Sequence, residues 1–375
     1  MDLRFSELSQ QADEAAADRD FSRAVRILSD LTARLVTDAS AWKRLAAMHR
    51  ATGNPRAAIT AITAALALEP RDLLGLLMQG SLIEALGEDA EEAYGAALVV
   101  RQALGATPPA LLRPLANADR YKAAAIARRR NCLEPVLRGA SRQFSVDAPQ
   151  AARIERFADV IASGNTALVF SDLPPAEFFD PSRIPGLSAM AANYADYMAE
   201  YLALVAANDR ASAPYVDHPT GVPLDQWAAL NNSAAWSAAH LWRGGVIVDD
   251  NVAACPTTVA AFAALPVPNI AHRSPNLMFS ILKPQTHIPR HVGVTNARVV
   301  VHVPLIIPES CSLTVGEQTK GWVPGEALVF DDTTEHEADN ASMQPRVVLI
   351  GDAWHPDLTM VDRWALTEMF HAVAR

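Results

Sequence analysis

The chain has 375 residues, a length that allows two or three domains. Half of it is apolar, and 32 basic against 42 acidic residues give a formal charge of −10, which disfavours binding nucleic acid or an anionic membrane through bulk charge. The acidic start MDLRFSELSQQADE is not a secretory signal, and the longest uncharged stretch, 251–271, is too polar and too broken by prolines to span a bilayer.

Residues 1–105 are rich in Ala and Leu and read as helix almost throughout. The turn positions Asp20, Asn54 and Glu88 stand 34 residues apart, as do Gly53 and Gly87, and Asp38 and Asp72. Trp42, Leu45, Ala46 and His49 recur at helical spacing. A 34-residue helix–turn–helix period is the tetratricopeptide length, which predicts two to three repeats with the degenerate unit GEDAEEAYGAALVV as a cap. A plain helical bundle with accidental spacing is the alternative. Short helical repeats pack against a partner or a neighbouring domain. Residues 106–164 read as a helical linker, Pro-marked at TPP and then basic. Its Arg128–Arg130 run reads as a solvated helix face, with an anion or partner site as the alternative.

From 165 to 375 the texture changes. LPPAEFFDPSRIPGL has no helical period, and a helix is expected at about 187–207. The runs WSAAHLW, GGVIV, LMFSIL, ARVVVHVPLII, CSLTVG, GEALVFDD and RVVLIGDAW follow, separated by turn residues. They predict an antiparallel β-sandwich or barrel, so the chain is expected to be α+β.

Three of the ten histidines stand out in strand-rich context within one window of this region: His291 in HIPRHVGVTNAR, His302 in VVVHVPL and His336 in FDDTTEHEADN. His291 and His336 are 45 residues apart, enough for two hairpins to bring them together. Paired imidazoles from different strands suit a non-haem iron site; a structural histidine is the alternative. Arg346 stands ten residues after His336 in RVVLI. An arginine buried in a β-core needs an anion, and its planar fork suits a carboxylate. Two imidazoles and such an arginine are what use of 2-oxoglutarate requires.

The stretch FSILKPQTHIPRHVGVTNARVVVHVPLIIP, then W-x-x-G, FDDTTEHEADN and RVVLIGDAWHPDLT, resembles the aspartyl/asparaginyl β-hydroxylase family. The resemblance is dense over 274–359 and extends loosely back to 165 through FFDPSRIPGL and WSAAHLWRGG. It implies an Fe(II)- and 2-oxoglutarate-dependent oxygenase using O₂, built on a double-stranded β-helix (jelly roll). Bacterial relatives carry tetratricopeptide repeats ahead of that domain. The resemblance implies His291 and His336 as catalytic iron ligands, with water in the position left open by Gly293. It implies Arg346 and Ser280 as partners of the oxoglutarate C5 carboxylate, and His302 at its other end. Asp331 and Asp332 read as a turn or as a pair orienting His336, with a substitute iron ligand as the alternative. Substrate-acting members can carry a second basic residue near Val300; here only Arg298 is present, which counts against recognition of an acidic peptide.

The expected activity is hydroxylation, not chlorination, of an unactivated C–H bond. The family default is the β-carbon of an Asp or Asn residue in an amino-acid, peptide or protein substrate. A further protein partner is expected at the repeats. The alternatives are a partner-binding repeat protein with a silent jelly roll, or a His-metal cupin of other chemistry; the offset of Arg346 argues against the second. Trp322 reads as a turn or lid aromatic, His355 as a strand-end cap, Cys255 as a small buried hydrophobe, and Asn231 and Asn232 as loop residues. Three widely spaced cysteines, Cys132, Cys255 and Cys311, exclude a disulfide scaffold and suggest a reducing, cytoplasmic setting.

Overall fold

The computed structural model describes residues 3–208, 210–219, 224–270 and 272–374. The chain divides into two compact units, one over 1–128 and the other over 129–218 and 224–375. Among the described residues no helix is long and apolar enough to cross a membrane.

The first unit holds α1 (Leu3–Ala17), α2 (Phe21–Arg34), α3 (Ala39–Ala51), α4 (Pro55–Leu68), α5 (Leu73–Ala85) and α6 (Glu91–Gln102). The 34-residue step is the step of the helix caps. Asp20 and Asn54 accept the Arg23 and Ala57 amides at the starts of α2 and α4. Asp38 and Asp72 accept the Ala41 and Gly75 amides at the starts of α3 and α5. Each cap satisfies an N–H that the helix itself leaves unpaired. Gly53 and Gly87 close α3 and α5 at φ +74° and +73°, where a side chain would be strained. Ala24, Leu28, Leu45, Ala46, Ala58 and Ile62 form the shared core. The third unit departs from the pattern: α6 starts two residues late and its cap, Ala90, has no side chain to accept an amide.

The boundary between the units falls inside α7 (Leu112–Gln143). In the second unit the end of α7 packs on α8 (Ala148–Ala162). Arg129 donates to the Ala162 carbonyl at 2.8 Å and Arg130 pairs with Glu155. Two of the three arginines expected to form a solvated face therefore join two helices.

The rest of the second unit runs β1 (Phe178–Phe179), α9 (Leu187–Ala192), α10 (Tyr194–Ala207), β2 (Ala213–Pro214), β3 (Trp236–Arg243), β4 (Val246–Ile247), α11 (Asp249–Ala254) and α12 (Pro256–Ala263). It continues through β5 (Leu277–Leu282), β6 (Thr286–His291), β7 (Arg298–Ile306), β8 (Cys311–Val315), β9 (Gln318–Lys320), β10 (Leu328–Phe330), β11 (His336–Asn340) and β12 (Arg346–Trp354) to α13 (Met360–Val373). The larger antiparallel sheet has the order β1-β10-β7-β12-β5-β3-β2, with β4 paired to β3; the smaller has the order β6-β11-β8-β9. Together they are the β-sandwich that the jelly-roll expectation calls for. α13 closes over α7 and α8: Gln150 donates to Asp362 at 2.6 Å, and Trp364 meets Phe144 edge-on at 5.3 Å.

Strand alternation sorts the larger sheet's side chains. Val299, Val301 and Val303 of β7, Phe279 of β5 and Leu349 of β12 pack on the helix side, in one core with α9, α10 and α12. Val300, Leu282 and Val348 point the other way, into a core shared with Ile288, Leu313 and Ala338 of the smaller sheet. By the same alternation Arg298 and His302, Ser280, and Arg346 face between the sheets.

Candidate active site

The two strands that carry His291 and His336 were not among the predicted strands, because THIPRH and HEADN are polar and the first contains proline. In the structure they pair directly, and His336 sits opposite His291. The register slips between His336 and Ala338, which faces Ile288. One extra residue is thus inserted on β6 around Pro289. Ile288 and His291 are three apart and would point to opposite faces of a regular strand; the bulge turns both inward. β6 is an edge strand, where the missing N–H of Pro289 costs least.

The imidazole centroids are 4.0 Å apart. His291 Nδ1 lies 2.8 Å from the Pro289 carbonyl, and His336 Nδ1 lies 2.9 Å from the Thr334 carbonyl. Each carbonyl can only accept, so each Nδ1 carries the proton and each Nε2 keeps its lone pair. Burial, then the neighbouring His336, pushes the His291 pKa down to about 4; burial also holds His336 below its ordinary value. Both rings are neutral donors at physiological pH. Among the described residues no group of three or more His, Cys, Asp or Glu side chains could hold a metal, so this pair stands without a third protein donor.

Across the sandwich, Arg346 is 1% exposed. Its Nη1 donates weakly to Ser280 Oγ at 3.4 Å, its Nε has no partner, and its guanidinium lies 5.0 Å from the Trp322 ring centre. Burial lowers its pKa to about 10. A fully desolvated guanidinium with no carboxylate beside it is costly unless an anion arrives. Ser280 also accepts from Trp236 Nε1 at 3.2 Å. Trp322 donates its Nε1–H to His302 Nδ1 at 3.2 Å. That bond fixes the proton of neutral His302 on Nε2; burial, then the Arg346 charge, keeps the ring neutral. Trp322 is buried on a loop beside a turn and touches both Arg346 and His302, so it is a wall of the site and not a lid. Phe330 sits edge-on to both His302 and His336, at 5.1 and 5.2 Å.

Asp331 and Asp332 have separate tasks. Asp331 accepts from Thr333, through its amide and its hydroxyl, and shapes the turn. Asp332 pairs with Arg298 at 2.9 Å and is almost wholly buried, which raises its pKa against the pull of Arg298. It does not orient His336; the Thr334 carbonyl does. Its carboxylate occupies the space where a Cβ on Gly293 would stand. Glycine is therefore required at 293 by a close approach. Arg298 also meets Asp352 at 3.5 Å, so one cation is shared between two buried acids.

These groups line one cavity of about 520 Å³, which takes in His291, His336, Ser280, His302, Arg346 and Arg298. All five predicted site residues are thus gathered in one place. Its aromatic wall was not anticipated. Tyr215 stacks on Trp236 at 4.0 Å, and Trp227 meets His291 edge-on at 5.1 Å. Trp236 could have been found: on β3 it alternates with Ala238, which pairs with the inward Ser280. Trp322, on a loop, gives no such signal. Outside the cavity, His355 accepts the Asp357 amide at 3.1 Å as a buried turn residue, and burial pushes the Cys255 thiol up to about 12.

Residues 193–356 match the family model described as Aspartyl/Asparaginyl beta-hydroxylase. The Aspartyl/asparaginyl beta-hydroxylase of Homo sapiens is 33% identical over 152 residues, 40% of this chain and 20% of that protein. Aspartate beta-hydroxylase domain-containing protein 2 of Xenopus tropicalis is 30% identical over 203 residues, 53% of this chain and 52% of that one. The Ornithine lipid ester-linked acyl 2-hydroxylase of Rhizobium tropici is 37% identical over 130 residues, 34% of this chain and 44% of that one. The match spans between a fifth and about half the length of these relatives.

Proposed function

From the match of residues 193–356 to the aspartyl/asparaginyl β-hydroxylase family model, we propose that this chain is an Fe(II)- and 2-oxoglutarate-dependent dioxygenase that hydroxylates an unactivated C–H bond. The observation that carries the reading is the pairing of two neutral, carbonyl-anchored imidazoles with a buried guanidinium that lacks an acid. The donor set fits the proposed groups. Imidazole nitrogens suit Fe(II), and a desolvated arginine suits a carboxylate end.

When bound, iron with oxoglutarate and O₂ supplies the oxidising power. The chain's own residues do the rest. His291 and His336 present Nε2 to the metal, held in orientation by the Pro289 and Thr334 carbonyls. Arg346, with Ser280, binds the distal carboxylate of oxoglutarate. His302, its tautomer set by Trp322, donates Nε2–H toward the cosubstrate. Arg298 holds Asp332 in the space Gly293 leaves, which keeps that carboxylate from drifting. The aromatic wall of Trp227, Trp236 and Phe330 excludes water.

For the substrate, an amino-acid, peptide or protein bearing an Asp- or Asn-type side chain is the first reading. Val300 and Arg298 favour a second. Val300 faces the cavity without charge, and Arg298 is already shared by Asp332 and Asp352. A reacting group with no free carboxylate, such as an acyl chain, fits that surface better than an aspartate. A protein partner at the repeats belongs to the same proposal. The test is release of succinate and CO₂ from oxoglutarate by the purified full chain. Release that requires Fe(II) and O₂ is expected. Iron and oxoglutarate binding without any release would favour the silent-domain reading.

A further inference from the structure

A second cavity, of about 270 Å³, lies against the first; Arg298 and Asn276 line both. One wall is of buried apolar side chains, Leu168, Ile270, Trp354 and Phe370, and the side toward the first cavity is polar, with Ser274, Asn276 and Arg298. Arg273 stands exposed among its lining, with its guanidinium 4.7 Å from the Phe370 ring centre. Among the described residues no carboxylate pairs with Arg273. Arg273 is thus a cation without an internal acid beside a cavity that has an apolar wall, an arrangement that can take an external anion.

The turn that carries Arg273 is built to hold it. Ile270 and Ser274 exchange amide–carbonyl hydrogen bonds at 2.8 and 2.9 Å. His272 is held at φ +62°, a costly conformation for a residue with a side chain. Asp352 fixes the far side of the turn, accepting from Ser274 Oγ at 2.8 Å and Asn276 Nδ2 at 2.7 Å. Asp352 also meets Arg298, which pairs with Asp332 in the catalytic cavity. The segment is thus tied to the core of the protein, and the Arg273 guanidinium lies against Phe370 beside the cavity.

We propose that this second cavity binds an anionic amphiphile, its carboxylate or phosphate on Arg273 and its apolar body along Ile270, Trp354 and Phe370. Such a ligand answers each feature: charge at the rim, hydrocarbon within, and a body short enough for the volume. The proposed contacts, Arg273, Ile270, Trp354 and Phe370, include none of the residues assigned to iron or oxoglutarate, so binding here is tested apart from the proposed chemistry.

The test is calorimetric titration of the full chain with octanoate, octyl phosphate and octanol. At least one of the two anions is expected to bind more tightly than octanol. R273Q should weaken anion binding by about tenfold, the loss of one charged hydrogen bond, and leave octanol unchanged. R273K, which keeps the charge, should retain part of the affinity, and R346A should bind the anion as the parent chain does. Three outcomes would overturn the proposal: no preference for either anion, unchanged anion binding in R273Q, or loss of anion binding in R346A. The last would place the anion in the catalytic cavity. Arg273 is exposed, so R273Q is expected to fold; if it does not, R273K and R346A decide.

Discussion

His291 and His336 face each other as direct cross-strand partners, and the strand that carries His291 bulges at Pro289 to let them. The bulge is what gives two histidines one interior point.

The first expectation follows from that pairing. His291→Ala or His336→Ala should abolish iron binding at stoichiometric metal, read by elemental analysis after anaerobic loading, while circular dichroism stays native. Each change opens a small space lined partly by solvent, so the stability cost should stay within about 1–3 kcal/mol. Near-normal iron content in either variant would refute the ligand assignment.

Arg346 gives an expectation of opposite signs. Without ligand, its buried charge is uncompensated, so Arg346→Met should leave the apo chain as stable or up to about 4 kcal/mol more stable. The parent chain should gain about 2.7 kcal/mol with oxoglutarate at a hundred times its Kd; Arg346→Met should gain nothing. Melting curves with and without oxoglutarate measure both. A variant that is destabilised yet still responds to oxoglutarate would count against the assigned role.

Gly293 and Asp332 should prove coupled. Gly293→Ala drives a methyl group into the Asp332 carboxylate, which should cost about 1–3 kcal/mol by overpacking. Adding Asp332→Ala should recover part of that, with a coupling of about 0.5–3 kcal/mol in a double-mutant cycle. Denaturant titration measures each corner. Strict additivity would mean that the two residues do not compete for space.

Truncation should separate the second unit's true edge from an apparent one. α8 carries Gln150 and Arg153, both on Asp362 of α13. A chain starting at 129 should remain soluble and bind oxoglutarate. A chain starting at 165 lacks α8 and should expose the face of α13 that carries Trp364. Soluble, oxoglutarate-responsive protein from 165 would show that α8 is dispensable.

Trp322→Phe keeps an aromatic face near Arg346 but removes the N–H that fixes the His302 tautomer. The KM for oxoglutarate should rise by roughly fivefold to thirtyfold, the worth of about one to two kcal/mol in a buried hydrogen bond. An unchanged KM would leave Trp322 with packing alone.

The sequence by itself determined what local chemistry can specify. The 34-residue step is legible because caps and left-handed glycines act within one turn of chain: Asp20 with Arg23, Asp38 with Ala41, and Gly53 where no side chain fits. The β7 run is legible because its period of two sends Val299, Val301 and Val303 one way and Arg298, Val300 and His302 the other. His291, His336 and Arg346 could be named because their residue types suit one chemistry, whereas Ser280 came only with the family resemblance. Only the tertiary structure decided the rest. THIPRH and HEADN are strands because they pair with each other, not because their residues favour it. Trp322 reaches His302 and Arg346 from a loop, Asp332 fills the space beside Gly293, and Arg273 lies over Phe370 beside a second cavity, next to a segment that Asp352 ties down. Each of these depends on groups far apart in the chain, where no spacing rule operates and only the packed fold sets which side chains meet.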